Sequence, residues 1–180
     1  MGEKSARGEM SIQMVAISTD VGSRYRHLFG VAILAAGVDS TAKLLVHASS
    51  WLRRLPHIVP VQNRGYLLEI GSGAAPALVS MSFLAVMIVW AVRAMAAGRV
   101  SSLAAGLLIG GAASNAIERV ARGSVTDYLA TPWIVIDLGD VAVLTGLVLI
   151  VGARLRRALD ISMPTFGRRR RPTRRDPLDL

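Results

Sequence analysis

Four long apolar stretches separated by polar segments dominate the pattern of this chain. They cover about residues 27–47, 76–97, 100–117 and 133–151. Each approaches the roughly 20 helical residues that cross a hydrocarbon core. The pattern predicts an all-α membrane protein with four transmembrane helices. We expect residues 1–26 to be a disordered cytoplasmic N-terminus, residues 27–153 the membrane domain, and residues 154–180 a basic cytoplasmic tail.

The loop that follows the first span is long, at about residues 48–75. Its run VPVQNRGY (59–66) places Asn and Gly between apolar residues, which is typical of a turn between short strands. We therefore expect a small β-rich piece in this loop, lying over the ends of the helices.

Basic residues predict the orientation of the spans. The N-terminus, the turn between the second and third spans, and the C-terminus all carry Arg or Lys, and they share one side if the number of spans is even. The other side also holds arginines: Arg53, Arg54, Arg64, Arg119 and Arg122. The balance predicts N-in and C-in, so the loops at about 48–75 and 120–132 lie outside.

Composition agrees with a membrane protein. Hydrophobic residues make up 52% of the chain and charged residues only 18%, whereas a soluble domain is about a quarter charged. The formal charge is +9, much of it from arginines after the fourth span. Without cysteine the chain has no thiol nucleophile and no thiolate metal site.

Polar residues within the spans are candidates for function. Asp39 and Lys43 are four residues apart on one helix face, so they can form an ion pair. That pair either fixes helix packing or takes part in chemistry directly. In the third span, Asn115 and Arg119 belong to a polar network, with Glu118, that would orient the following loop.

Gly106, Gly110 and Gly111 also lie in the third span and would allow helices to approach closely.

Asp127 and Asp140 stand at opposite ends of the loop between the third and fourth spans. Two adjacent carboxyls cannot both ionise easily, so they share a proton. One can then take a proton from water while the other protonates a peptide carbonyl. Spacing alone makes this a hypothesis, because aspartates are common in outer loops.

These residues together resemble the lipoprotein signal peptidase (signal peptidase II) family over about residues 31–151. Five motifs are similar to the family's in order and place: DSTAK (39–43) to D-x-x-x-K, NRG (63–65) to N-x-G, GGAASNAIER (110–119) to G-G-A-x-G-N-x-x-D-R, GSVTDY (123–128) to G-x-V-x-D-F, and IDLGD (136–140) to F-N-x-A-D. Each motif is unspecific, but the ordered set on a four-span frame is strong.

The chain departs from the family pattern at several positions. Glu118 replaces the usual Asp, Ser114 a Gly, and Gly139 an Ala. Asp137 replaces the usual Asn beside the second aspartate. An amide can donate a hydrogen bond where an ionised carboxylate only accepts, and a third acid would raise the pKa of the pair. The chain is thus predicted to be a divergent member, with a shifted pH optimum, altered substrate choice or lost activity.

The resemblance implies a membrane aspartyl endopeptidase that removes signal peptides from diacylglyceryl-modified prolipoproteins, cutting before the lipidated cysteine. Asp127 and Asp140 would be catalytic. Other positions would bind substrate or support the pair: Asn63, Gly65, Asn115, Arg119 and Asp137. Asp39 and Lys43 would form the structural ion pair. We expect no cofactor and no metal, since the three histidines are scattered.

The implied location is the bacterial cytoplasmic (inner) membrane, with the site at the extracytoplasmic face of a multi-pass monomer. Its partners would be prolipoproteins and, at the basic tail, anionic lipid. A polybasic run directly after a span favours lipid contact over nucleic acid, so no nucleic-acid partner is expected.

Two other functions remain open at this point. A catalytically impaired relative would bind lipoproteins without cutting them, and Asp137 is the main support for it. A small transporter subunit would use Asp39 and Lys43 as a relay, but it would often show repeat symmetry between its halves. The acidic positions here do not recur in that way.

Overall fold

Four helices and a three-stranded sheet make up the part of the chain that the structure, a computed structural model, describes: residues 2–64 and 75–162. The helices are α1 (Gly2–Ala48), α2 (Ala75–Ala96), α3 (Ser102–Arg122) and α4 (Leu138–Ser162). The strands are β1 (Ile58–Asn63), β2 (Val125–Ala130) and β3 (Val135–Ile136), and a 3-10 turn covers Leu52–Arg54. Side chains are described for 21–64 and 75–159.

Helix α3 is the centre of the bundle. It packs against α1, α2 and α4, whereas α2 packs extensively on α3 alone. The buried apolar residues of this core come from all four helices, and many of them are alanines. Ser101 caps the start of α3 by accepting a hydrogen bond from the Ala104 amide at 3.2 Å. Gly123 ends the helix in the left-handed conformation, at φ 72°.

The outward faces of the other helices are apolar. Large side chains on α1 and α2 remain exposed, as at Ile33 (72%) and Val86 (65%). Three segments are long and apolar enough to cross a membrane: Val21–Ala48, Ala75–Ala96 and Leu138–Leu159. Exposed apolar faces of this extent suit lipid rather than water. The chain is therefore a multi-pass membrane protein.

The prediction of four transmembrane helices is confirmed in part. Helix α3 has 21 residues and lies where the third span was predicted, but it is less apolar than the other three. Its central position explains part of the difference, because the faces that α3 buries against other helices are mostly alanine and glycine, which are less apolar than large aliphatic side chains. That α3 crosses the membrane stays a prediction.

Glycine allows the close helix contacts that the sequence predicted. A Cβ at Gly106 would lie 2.7 Å from the Val31 Cβ of α1, and one at Gly146 would lie 2.9 Å from the Ala104 carbonyl oxygen. A Cβ at Gly111 would collide with the backbone of Gly139. Helix α3 thus meets α1 and α4 almost backbone to backbone.

The predicted β-rich piece is present. Among the described residues, strand β1 pairs with β2 of the later loop, and the antiparallel order is β1-β2-β3. Asn63 faces Val125, and the register is irregular between Ile58 and Val61, on either side of Pro60. Gly65 and Tyr66 of the predicted turn lie outside the described residues.

Two predicted boundaries also differ. Helix α1 begins at Gly2, so its backbone is helical through the segment for which disorder was predicted; no proline interrupts it. Helix α4 begins at Leu138, not near residue 133, because the chain first forms a β2–β3 hairpin. Helix α4 continues to Ser162, and the predicted tail beyond it lies outside the described residues.

We expect the substitution Gly111→Ala to lower the thermal stability of the purified protein. The added methyl group would meet the Gly139 backbone, where overpacking costs about 1–3 kcal/mol. Gly37→Ala is the matched control, because nothing lies within 4 Å of its Cβ position. Equal melting temperatures for the two variants would contradict the close α3–α4 contact.

Candidate active site

The two candidate catalytic aspartates lie together at one end of the bundle. Asp127 is on the central strand β2, and Asp140 is in the first turn of α4. One carboxylate oxygen from each of Asp127, Asp137 and Asp140 lies within 4.8 Å of the others. The β2–β3 hairpin produces this proximity, because it folds the chain back between the two positions.

An asparagine supports each aspartate. The Asn63 side chain donates to Asp127 Oδ2 at 3.2 Å. It can do so because Asn63 and Asp127 are diagonal neighbours on one face of the β1–β2 pair. Asn115, on α3, donates to Asp140 Oδ1 at 3.0 Å. Each carboxylate is thus held by one amide.

Asp137 caps helix α4. Its Oδ1 accepts a hydrogen bond from the backbone N–H of Asp140 at 2.7 Å and a longer one from Asn115 at 3.4 Å. Asp is a favoured residue at this position, since its oxygen satisfies an N–H group left without a partner at the helix start. Asp137 therefore fixes the orientation of the turn that carries Asp140.

Lys43 is buried among three carboxylates. Its Nζ lies 2.7 Å from Asp39 Oδ2, 2.7 Å from Asp137 Oδ2 and 3.2 Å from Glu118 Oε2. It also donates to Asn115 Oδ1 at 2.7 Å. The predicted Asp39–Lys43 ion pair is thus present, but Lys43 connects α1 with α3 and with the start of α4 as well.

A further network holds strand β2 against α3, and it centres on Thr126. Glu118 accepts hydrogen bonds from both the Thr126 backbone N–H (3.1 Å) and its hydroxyl (2.7 Å). Gln62 donates to the same hydroxyl at 3.1 Å, and His47 lies at 3.1 Å from it. Glu118, predicted to belong to a network that orients the loop, thus contacts the first strand of that loop. It also places Asp127, the next residue, in position.

A pocket of about 640 Å³ opens beside the aspartates. It lies over α3, between α2 and α4, and Asn63, Asn115, Asp127 and Asp140 reach it. Its remaining wall is largely apolar, from Val79 and Phe83 of α2, Ala112 and Ala116 of α3, Val143 of α4, and Trp133, Ile134, Val135 and Ile136 of the hairpin.

Arg119 also lines this pocket and donates to Ser80 Oγ of α2 at 2.9 Å. It lies at the polar end of α3 and ties that end to α2.

Burial raises the pKa of Asp127 to about 6. The hydrogen bond from Asn63 opposes this shift, while the negative charges of Asp137 and Asp140 add to it. Asp127 therefore changes its protonation near neutral pH, where an ordinary aspartate is fully ionised.

Three carboxylates this close together are also ligands of the type that divalent cations prefer. However, the ammonium group of Lys43 already neutralises Asp137. An acidic cluster with its own buried cation does not by itself indicate a metal site.

Of the predicted site residues, the structure brings together Asn63, Asn115, Asp127, Asp137 and Asp140, with Arg119 on the pocket wall. Asp39 and Lys43 lie just behind them. Gly65 lies outside the described residues. Sequence reasoning did not single out Thr126, whose only signal was that it precedes Asp127. It noted Ser114 as a departure from the family pattern, but not that its hydroxyl donates to Asp39 at 2.5 Å.

The fold is that of a bacterial membrane enzyme. It is similar to a structure of that description solved by the in meso method at 2.3 Å, with a TM-score of 0.64 and 21% identity over 74% of this chain and 90% of the other. A second, at 1.9 Å, gives a TM-score of 0.59 with 21% identity, over 72% of this chain and 92% of that one.

The sequence identifies the family. The model of "Signal peptidase (SPase) II" matches residues 31–156, more than half of the chain. The chain is 36% identical to the lipoprotein signal peptidase of Methylorubrum extorquens (strain PA1), over 71% of this chain and 85% of that protein. It is 26% identical to that of Rhodopseudomonas palustris (strain TIE-1), over 84% and 93%.

A third match, to the lipoprotein signal peptidase of Beijerinckia indica subsp. indica, spans 47% of that protein at 36% identity. The chain belongs to the signal peptidase II family and is a divergent member of it. It is therefore a bacterial membrane peptidase.

We expect Lys43→Met to destabilise the protein by about 3–5 kcal/mol, because it leaves buried carboxylates without their shared cation. Arg122→Met is the control: Arg122 also pairs with Glu118, at 3.3 Å, but its side chain is 47% exposed, so its loss should cost at most about 1 kcal/mol. Chemical unfolding in detergent would compare them. Similar losses in both variants would show that the buried cluster contributes no special stability.

Proposed function

We propose that this chain is an aspartic endopeptidase that removes signal peptides from diacylglyceryl-modified prolipoproteins. The observation that carries the proposal is the proximity of the Asp127 and Asp140 carboxylates, within 4.8 Å, at the mouth of a largely apolar pocket. Family membership supports the peptidase class, and the names of the relatives support the substrate.

Asp127 and Asp140 supply the acid and the base. Near pH 6, the raised pKa of Asp127, a pair this close holds a single proton. The ionised carboxylate takes a proton from water as the oxygen attacks the peptide carbonyl carbon, and the protonated one donates its proton to the carbonyl oxygen. Collapse of the tetrahedral intermediate then breaks the C–N bond, and a proton passes to the leaving amine.

The side-chain amides of Asn63 and Asn115 support these acid and base roles. Asn63 and Asn115 each donate to one oxygen of an aspartate, and both aspartates line the pocket that water and substrate would enter. Because the amides reach opposite members of the pair, neither carboxylate can rotate freely. The reacting groups are thus held in position before substrate binds.

The pocket suits a lipid-modified peptide. Its apolar wall, with Phe83 and Val143, lies between two helices whose outer faces contact lipid, so an acyl chain could enter sideways from the bilayer. Arg119 and the asparagines offer polar contacts to the peptide backbone. The proposed cut is the bond before the lipidated cysteine of the substrate.

The distribution of arginine supports the proposed topology. Arg93, Arg99, Arg154, Arg156 and Arg157 lie at the end of the bundle opposite Asp127 and Asp140, as does the start of the first apolar span. An excess of basic residues favours the cytoplasmic side. We therefore place both termini in the cytoplasm and the aspartates at the extracytoplasmic face of the inner membrane.

Asp137 supports an active enzyme over an impaired relative. The ion-pair and hydrogen-bond partners of Asp137 are donors: an ammonium, a backbone N–H and an amide. These contacts accommodate a carboxylate at a position where the family has Asn. They weaken the main support for the alternative, a lipoprotein-binding protein without activity.

We expect Asp127→Asn and Asp140→Asn each to lower cleavage of a diacylglyceryl-modified prolipoprotein by about 10²–10⁴-fold, since each removes the acid or base. Asp137→Asn is the matched control, the same exchange three residues before Asp140, and it should retain activity. The assay uses purified protein in detergent and follows the release of signal peptide. Full activity of either dyad variant would refute the mechanism.

The pH profile should also respond to Asp137. In the wild type the raised pKa of Asp127 keeps the shared proton bound to higher pH, so activity should fall on the alkaline side of its optimum. Asp137→Asn removes a neighbouring negative charge, which lowers that pKa. Its alkaline limb should therefore move to lower pH. A shift to higher pH would contradict the electrostatic coupling between the two groups.

A further inference from the structure

A second cleft lies at the other end of the bundle, with a volume of about 530 Å³. It shares no lining residue with the pocket at Asp127 and Asp140. Its floor and one wall are apolar and come from α2, including Val86, Val89 and Trp90. This wall continues into the exposed apolar face of α2, so the cleft is open toward the acyl chains of the membrane.

Three guanidinium groups line the same cleft. Arg93 comes from the last turn of α2, Arg99 from the turn between α2 and α3, and Arg154 from α4. Arg157 donates to the Gly98 carbonyl oxygen at 3.2 Å. This hydrogen bond joins α4 to the turn between α2 and α3, so Arg99 and Arg154 line the same cleft. Helix α2, the turn after it and helix α4 therefore place three positive charges around one cleft.

These arginines lack an anionic partner among the side chains that the structure describes. No ion pair to a described carboxylate is formed by Arg93, Arg99 or Arg154. The sequence holds no Asp or Glu from 75 to 117 or from 141 to 159, so neither α2 nor the adjoining part of α4 supplies one. Three cations at a membrane boundary favour an anion from elsewhere.

We propose that this cleft binds an anionic phospholipid, with the phosphate at the three arginines and an acyl chain along the apolar face of α2. A cationic segment would be repelled, and that includes the chain's own C-terminal stretch, where 163–180 has six arginines against two aspartates. A zwitterionic lipid would bring its own cation to the arginines. Trp90 lies where an aromatic side chain anchors at the membrane interface.

Native mass spectrometry of the full-length protein in neutral detergent tests the proposal. The probe is phosphatidylglycerol, titrated against the wild type, Arg99→Ala/Arg154→Ala, and the control Arg26→Ala/Arg156→Ala. The control removes the same charge at the same end of the bundle, from exposed residues outside the cleft. We expect the Kd of the first bound lipid to rise about tenfold or more in the cleft variant and less than about twofold in the control.

A second variant tests the cleft without changing charge. Ala85→Trp would fill its apolar wall and should also weaken binding, whether or not the double arginine variant folds well. Three results would overturn the proposal: equal losses in the cleft and control variants, equal affinity for phosphatidylcholine with the same acyl chains, or unchanged binding in Ala85→Trp. Displacement of the lipid by an equal concentration of inorganic phosphate would show an anion site that does not recognise lipid. None of these measurements depends on peptidase activity.

Discussion

The arrangement of this molecule depends on one buried ammonium group shared by several carboxylates. Lys43 on α1 forms ion pairs with Asp39 on its own helix, Glu118 on α3 and Asp137 at the start of α4. Separating these charges within a low-dielectric interior would be costly, so the ion pairs fix the positions of α1, α3 and α4 relative to one another. Glu118 and Asp137 then carry that constraint to the reacting groups, the first through Thr126 to β2 and the second by capping α4.

Much of the helical framework could be predicted from the sequence, because long apolar runs and their charged borders are local signals. The second span was predicted within a residue at each end, and the Asp39–Lys43 pair followed from helical spacing. The pairing of β1 with β2 could not be predicted, since it joins segments about 60 residues apart through backbone hydrogen bonds that leave no trace in the hydropathy pattern.

The candidate site shows the same limit. The sequence motifs pointed to Asp127, Asp140 and their asparagines. They did not show which other residues contact this group. Asp137 stood out as a departure from the family pattern, and only its contact with Lys43 shows why a carboxylate is tolerated there. The roles of Thr126 and Ser114 could not be predicted, because a small hydroxyl residue in a helix or strand looks ordinary until its acceptor is known.

The glycine contacts determine which helices can adjust to ligands of different shape. Helix α3 meets both α1 and α4 nearly backbone to backbone, so these helices have little room to slide past one another. Helix α2, in contrast, packs extensively only on α3 and forms one wall of both clefts. We therefore expect differences in ligand shape to be accommodated by α2, while the spacing of Asp127 and Asp140 stays constant.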